Sequence, residues 1–360
     1  MTVQEAFGLR LKQLRELYTL SQQQLAEKAG IGREQISKIE SGQVNVTIET
    51  INRLSSALGI SVKDLVTFSK DSEPLPTGGD LVLDTHPIVK WAGGKSQILA
   101  KILALFPVSY GHYYEPFVGG GALFFAVQPR EATINDFNEE LVDVYRCFQD
   151  DDLYSNLLSK LQEHEHNHSE EYFMKIRSMD KDANFKSLPL YERAARMIYL
   201  NKACFNGLYR VNAKGFFNVP SAKKDHVITY DRANLPAIHA FFKRSSITIL
   251  NGDFSEAVKS AQKGDLVYFD PPYDTYKDDG FVSYTKDSFG RDEQRRLAGV
   301  YAELTNRGVN CILSNHNTPL INELYKPYNI HVITAKRMIN SDPNGRGDVE
   351  EVLVTNFKND

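Results

Sequence analysis

Residues 266–273 read Leu-Val-Tyr-Phe-Asp-Pro-Pro-Tyr. Four consecutive apolar residues are too few for a helix, and the acid and two prolines behind them do not continue one. The run is expected to be a strand buried on both faces, as in a parallel sheet. Asp270 then stands at the carboxyl end of that strand, where ligands bind in open α/β sheets. The same pattern extends outward in both directions. Tyr113–Phe117 ends a strand and Ala122–Val127 looks helical, while Ala132–Asp136 is a second strand followed by a helix over Glu139–Gln149. Asn310–Leu313 and Val349–Phe357 read as further strands. This alternation predicts an α/β fold with a largely parallel sheet flanked by helices, interrupted from about 150 to 250 by a helical, basic insert.

Two of these strand ends carry chemistry. Glu115-Pro116-Phe117-Val118-Gly119-Gly120-Gly121 sets three glycines after a strand, which permits positive φ and lets a ligand approach the backbone closely. The next strand ends in Asp136, suited to accept hydrogen bonds from ribose hydroxyls. No Lys-Ser/Thr pair follows the glycines, so a triphosphate P-loop is excluded. The Asp270–Tyr273 turn suits an exocyclic adenine amine, whose lone pair is delocalised into its ring. A carboxylate and the carbonyl of Pro271 can accept its two N–H bonds and push the nitrogen toward sp³ character. Pro272 stiffens the turn, and Tyr273 offers a flat face to an extruded base. A sulfonium methyl donor is already activated, so transfer depends on orientation and needs no metal.

Composition narrows the setting. The charged fraction is 24%, the hydrophobic fraction 42% and the net charge −4, ordinary for a globular protein. No apolar run approaches the roughly 20 residues of a membrane span, and no signal peptide opens the chain. Cys147, Cys204 and Cys311 are dispersed and odd in number, which fits a reducing cytoplasm and neither a disulfide framework nor a zinc site. The average charge hides a local excess: Arg193–Arg244 holds ten Lys and Arg against Asp225 and Asp231, a net +8 and a candidate phosphate-contacting surface. The run Glu163-His164-Glu165-His166-Asn167-His168 could bind a metal, but with no other ligands it reads as a solvated helix end.

Residues 69–86 are rich in Pro, Gly, Ser and Asp and read as a linker, which divides the chain into residues 1–68 and 87–360. The first part is expected to be all helical. Leu9, Leu11, Leu14 and Leu17 mark one amphipathic helix. Ser21 with Gln24 forms a capping box for a second helix ending at Ala29-Gly30. A third covers Arg-Glu-Gln-Ile-Ser-Lys-Ile-Glu before Gly42, a fourth starts at Thr47, and Val62–Leu65 continues the pattern.

With SQQQLAEKAGIGREQISKIESG at its centre, residues 5–66 resemble the Cro/repressor-type helix-turn-helix family. That resemblance implies a recognition helix carrying Arg33, Gln35, Ser37 and Lys38 toward DNA. Residues 87–360 resemble the Dam/DpnII-type (class D12, alpha group) DNA adenine methyltransferases. The matching blocks are PIVKWAGGK at 87–95, EPFVGGGALFF at 115–125, NDFN at 135–138, FNGLYRVNAKGFFNVP at 205–220, NGDF at 251–254, DPPY at 270–273 and LSNHN at 313–317. The resemblance implies a Rossmann-like AdoMet-dependent methyltransferase sheet whose insert at about 150–250 recognises the target. It implies an AdoMet pocket of Trp91, Lys95, Glu115, Phe117, Gly119, Asp136, Asp253 and Phe254, and an adenine site of Asp270, Pro271, Pro272 and Tyr273. Lys95 is also expected to face DNA. The 205–220 segment resembles the DNA-contacting hairpin of enzymes that read GATC, which implies Asn206, Leu208, Arg210 and Asn212 as contacts, with Leu208 as a wedge. Phe205 stands where many relatives have Tyr. The implied substrate is double-stranded DNA, with a cognate restriction endonuclease as a functional partner and no membrane association. RNA adenine, cytosine N4 and glutamine amide are weighed as other acceptors, but relatives of those kinds usually begin the four-residue motif with Asn or Ser. The competing function is a transcriptional regulator with a vestigial methyltransferase half; intact Gly119, Asp136 and Asp270–Tyr273 argue against it.

Overall fold

A computed structural model describes residues 2–17, 20–58, 62–66, 85–95, 97–275, 289–336 and 348–358. The chain separates into two compact units, residues 1–86 with 230–244, and residues 87–229 with 245–360.

The first unit contains α1 (Val3–Leu17), α2 (Gln22–Ala29), α3 (Arg33–Glu40), α4 (Ile48–Leu58), α5 (Val62–Val66) and α12 (Asn234–Arg244). The Ser21–Gln24 capping box forms as read from sequence, and Gly30 closes α2 in the left-handed conformation. Ala6, Phe7, Leu11, Leu14, Leu25, Ile36, Ile39, Leu54 and Leu58 are buried. The buried stripe of α1 thus runs through Phe7, Leu11 and Leu14, and Leu9 is only half-buried. A Cβ on Gly8 would come within 2.2 Å of the Ile39 carbonyl oxygen, so α1 and α3 cross too closely for any larger residue. Below that crossing, Arg15 and Glu40 form a two-point ion pair at 2.6 and 3.1 Å. The sequence reading puts residues 230–244 in the insert, but they cluster here instead. Asn234 accounts for this in part: its Oδ1 accepts the His86 N–H at 2.9 Å and its Nδ2 donates to the His86 carbonyl at 2.9 Å.

The second unit is built on seven strands: β1 (Tyr113–Glu115), β2 (Glu131–Asp136), β3 (Ser246–Asn251), β4 (Leu266–Phe269), β5 (Asn310–His316), β6 (Asn329–Lys336) and β7 (Asp348–Thr355). They lie in the order β3-β2-β1-β4-β5-β7-β6. The first five are mutually parallel, and β7 runs antiparallel to both β5 and β6. Sequence order reverses between β1 and β4, a topological switch point where the loops leaving adjacent strands diverge and open a crevice. All four β4 residues are buried, as the unbroken apolar run requires. The predicted sheet of mixed α/β type is therefore present. Two of its strands, β3 and β6, have no counterpart in the sequence reading, although Ile247-Thr248-Ile249-Leu250 and Ile330-His331-Val332-Ile333 are rich in β-branched residues, and β3 lies within the stretch read as insert.

Around the sheet stand α6 (Leu99–Leu103), α7 (Ala122–Val127), α8 (Glu139–Arg146), α13 (Phe254–Ala257), α14 (Arg291–Asn306) and α15 (Pro319–Leu324). Leu297, Tyr301 and Leu304 of α14 pack with Val267, Phe269, Cys311, Leu313, Val352 and Val354 in one core cluster. The insert begins with α9 (Asp151–His166), α10 (Glu170–Ser178) and α11 (Leu190–Ala203), then becomes irregular. Arg196 on α11 is fully buried and is neutralised by Glu140 at 2.9 Å and Asp180 at 2.8 Å, and Arg193 is paired with Asp143 at 2.7 Å. These two cations belong to the packing of the insert, so the +8 excess overstates the surface available to phosphate. The histidine run closes α9 and is exposed at Glu163, His166 and Asn167, but His164 departs from that expectation: it is buried, stacked on Tyr199, and its Nδ1 shares a hydrogen bond with Tyr172 at 2.9 Å. Burial pushes its pKa down to about 4, so it is a neutral core residue.

Candidate active site

The glycine turn after β1 is shaped by its neighbours. Gly119 has φ +50°, and a Cβ there would lie 2.9 Å from Trp91 Cδ1. Its N–H donates to Asp136 Oδ2 at 3.0 Å, and the Asn138 N–H donates to Oδ1 at 2.8 Å. Asp136 at the end of β2 therefore braces the turn. A carboxylate has about four acceptor positions, which leaves capacity for hydroxyl donors from a ligand. Burial pushes the Asp136 carboxyl up, and these backbone N–H groups oppose that shift. The next residue, Phe137, is 76% exposed, a bare aromatic face beside the acid that sequence reasoning passes over. Tyr145 of α8 donates its hydroxyl to the Gly119 carbonyl at 2.6 Å, fixing the turn from below.

Glu115 is 2% exposed and accepts the Tyr113 hydroxyl at 2.8 Å. Burial raises its pKa to about 8, so it carries a proton near neutrality. Phe117 and Phe254 stack on each other with centroids 5.2 Å apart, so both contribute apolar wall. Asp253 caps α13 through the Ser255 N–H, and both its oxygens are held by Arg296 at 3.0 and 2.6 Å. Arg296 holds that carboxyl well below its usual range. Its own guanidinium lies 4.1 Å over the Phe254 ring, a role without any local sequence signal.

The Asp270–Tyr273 turn leaves β4 beside the glycine turn. Asp270 Oδ1 accepts from Lys95 Nζ at 2.7 Å and from Ser314 Oγ at 2.9 Å, and Ser314 in turn shares a hydrogen bond with Tyr268 at 2.9 Å. The Pro272 carbonyl accepts from Gln294 Nε2 at 2.8 Å; Gln294 is held by Asn315, which also accepts the Asp274 N–H. Thr318 donates to Asp274 Oδ2 at 2.6 Å, and His316 Nδ1 contacts the Asp274 carbonyl at 2.6 Å. The turn is thus tied down on its carboxyl side by β5, which explains the Leu-Ser-Asn-His-Asn block at 313–317. Tyr273 packs edge-on against His316 and donates to Glu351 Oε2 of β7 at 3.4 Å. Glu351, like Gln294, has no motif around it in sequence.

The expectation that Lys95 faces DNA is corrected. Its side chain is 7% exposed and its Nζ is committed to Asp270 and, at 2.5 Å, to the Gly93 carbonyl.

The segment after α11 is a tight antiparallel loop. Val211 bridges Phe217, the Asn218 N–H donates to the Arg210 carbonyl at 3.0 Å, and Asn212 Oδ1 accepts the N–H groups of Lys214 and Phe216. Asn212, expected as a DNA contact, therefore uses its side-chain oxygen to hold the turn. Arg210 is exposed and braced by Asn218 at 2.7 Å, and Asn206 is exposed with φ +58°. Leu208 is half-buried against the insert core, whereas Phe205 is 53% exposed. The root of the loop is bound to residue 90 by Asn201, a buried side chain hydrogen-bonded to the Lys90 N–H, the Lys90 carbonyl and the Gly207 carbonyl at 2.8, 2.9 and 2.8 Å. Tyr209 stacks 5.2 Å from Trp91 and donates to Glu140. In the first unit Arg33, Gln35, Ser37 and Lys38 are all exposed on α3, with Lys38 paired to Glu34 at 2.7 Å. Among the described residues, no helix is long and apolar enough to cross a membrane.

Comparison with known proteins accords with this geometry. Residues 91–339 match the model of the D12 class N6 adenine-specific DNA methyltransferases, and residues 11–65 match a helix-turn-helix family. The type II methyltransferase M1.LlaDCHI of Lactococcus lactis subsp. cremoris is 43% identical over 278 residues, 77% of this chain and 97% of that protein. The type II methyltransferase M.MjaIII of Methanocaldococcus jannaschii is 39% identical over 292 residues, 76% of this chain and all of that protein. A DNA adenine methylase of Haemophilus influenzae is 29% identical over 277 residues, 76% of this chain and 94% of that protein. The chain belongs to the D12 class N6 adenine-specific DNA methyltransferases and carries a helix-turn-helix domain ahead of the enzyme domain.

Proposed function

We propose that this adenine-N6 DNA methyltransferase acts within GATC, on an adenine turned out of the duplex, and that its helix-turn-helix domain binds an operator or assists DNA binding. The observation that carries the reaction is the pairing of the Asp270–Tyr273 turn with the glycine turn at one switch point of the sheet.

The residues present fit AdoMet. Gly119 is held in a conformation that favours glycine, and Asp136 has acceptor capacity for ribose hydroxyls. Phe137 offers a bare ring beside that acid. When bound, AdoMet supplies a methyl group already activated on a sulfonium sulfur. The chain's own groups then do the orienting. Asp270 and the Pro271 carbonyl accept the two N–H bonds of the adenine amine, Tyr273 bears on the base, and the hydrogen bonds from β5 and α14 keep the turn from yielding. Preorganised acceptors of this kind lower a transfer barrier because they need no rearrangement as charge develops.

GATC recognition rests on Arg210 and Asn206, exposed on the loop that follows α11. Phe205 is more exposed than Leu208 and is the better wedge into the base stack. A linker at 69–86 would join a helix-turn-helix domain of residues 1–68 to an enzyme domain of residues 87–360. A cognate restriction endonuclease is a functional partner under this reading.

Duplex oligonucleotides that differ only in a GATC site, with 2-aminopurine at the adenine, test the specific part. Enhanced fluorescence on GATC alone supports it, and equal response to a scrambled site overturns it. Footprinting tests the N-terminal role: protection of a defined sequence that is lost in Arg33→Ala/Gln35→Ala supports operator binding.

A further inference from the structure

We infer that Lys95 is a positioning residue for the acceptor: its ammonium holds Asp270 as a carboxylate and occupies the place of the adenine amine until a base displaces it. This rests on the reading of Asp270 as the amine acceptor.

Three contacts of one atom carry the inference. Lys95 Nζ lies 2.7 Å from Asp270 Oδ1, donates to the Gly93 carbonyl, and sits 4.7 Å from the centroid of the Tyr273 ring. A nitrogen donor on the Asp270 carboxylate and close over Tyr273 is the arrangement proposed for the target amine. The ammonium is therefore a stand-in, attracted by the carboxylate and by the negative face of the ring. Its side chain is 7% exposed, so it contributes little to phosphate binding, and the pair is shielded from salt.

The surroundings make a cation necessary. Asp270 is faced by Glu115 on β1, by Tyr268 and Ser314 on β4 and β5, and by Tyr273 in its own turn, with Glu351 on β7 beside Tyr273. His316 packs edge-on against Tyr273 and also acts on Glu351. Among the described residues, Lys95 is thus the cation in contact with Asp270, amid three carboxyl groups. Burial favours a neutral Asp270, and Lys95 is the foremost group opposing it, ahead of the hydrogen bonds from Ser314 and Tyr273. A protonated Asp270 would keep an acceptor oxygen but lose the charge that draws on the amine, and would behave like Asp270→Asn.

The test compares Lys95→Met, Lys95→Arg, Asp270→Asn and the double variant Lys95→Met/Asp270→Asn in the full chain. Single-turnover methyl transfer is measured from pH 5 to pH 9, with equilibrium binding of duplex DNA at several salt concentrations. Loss of an opposite charge within contact distance raises a carboxyl pKa by about one to three units. The acid limb of Lys95→Met should move up by that amount, Lys95→Arg should keep it near the wild-type position, and the double variant should show no added displacement over Asp270→Asn. The salt slope of DNA binding should stay as in wild type. An unmoved limb in Lys95→Met overturns the inference, and so does a salt slope reduced by about 0.9, the signature of a lost phosphate contact. If the unpaired carboxylate prevents Lys95→Met from folding, the double variant, which has neither charge, should fold; its failure to do so also counts against the inference. A wild-type rate and profile in Asp270→Asn would overturn the reading of Asp270 itself, and this inference with it.

Discussion

Glu115→Gln should abolish a large part of the pH dependence of stability. Glu115 lies at the end of β1, 2% exposed, with the Tyr113 hydroxyl on one oxygen and Asp270 among its neighbours. Its pKa rises from 4.5 to about 8, chiefly through burial. A carboxyl whose folded pKa exceeds its unfolded value binds more protons folded than unfolded, so stability falls as pH rises above the unfolded pKa and levels off past the folded one. With those two values the loss between pH 5 and pH 7 is about 2–3 kcal/mol. Glutamine keeps an acceptor for Tyr113 and has no proton to lose. Chemical denaturation of wild type and Glu115→Gln at half-unit pH steps gives the difference curve, in which other groups largely cancel. The variant should gain about 2–3 kcal/mol on wild type between pH 5 and pH 7. Parallel curves would refute the argument, because they would mean that Glu115 ionises alike in the folded and unfolded chain.

Other substitutions probe separate links. Gly119→Ala imposes a Cβ 2.9 Å from Trp91 on a residue at φ +50°; AdoMet affinity by equilibrium dialysis should fall at least about tenfold, given strain of about 1–2 kcal/mol before Trp91 is displaced. Asn201→Ala removes three hydrogen bonds and leaves groups of Lys90 and Gly207 unsatisfied. It should cost about 2–4 kcal/mol in denaturation, and DNA binding should weaken with it because the loop loses its root. Ser21→Ala breaks the capping box of α2 and should cost about 1 kcal/mol, with the methyl-transfer rate on saturating DNA unchanged.

Much of this was legible because it is local. The Ser21–Gln24 box, the Gly30 terminus and the buried run Leu266–Phe269 are set by neighbours a few residues away, and the structure repeats them. Strand ends in Asp136 and Asp270 could be read for the same reason. What stayed hidden depends on contacts distant in sequence. Arg296 meets Asp253 from 43 residues away, Glu351 meets Tyr273 from 78, and Asn201 meets Lys90 from 111. β3 and β6 are absent from the sequence reading although Ile247–Leu250 and Ile330–Ile333 are β-branched runs; β3 is absorbed into the stretch read as a helical insert. Arg193 and Arg196 misled for a related reason: a charge count cannot show that a cation is buried with its own acids. The linker read at 69–86 lies outside the described residues as far as residue 84.

If Asp270 accepts the amine of a DNA adenine during methyl transfer, its removal should show directly in the reaction. Labelled methyl from AdoMet would be followed into unmethylated plasmid by wild type and Asp270→Ala, with the DNA digested to nucleosides. Label is expected in N6-methyladenine with wild type, and a loss of at least about a hundredfold in rate with Asp270→Ala, the range typical of removing one transition-state acceptor or donor. Label in N6-methyladenine at an undiminished rate in Asp270→Ala would contradict that role of Asp270.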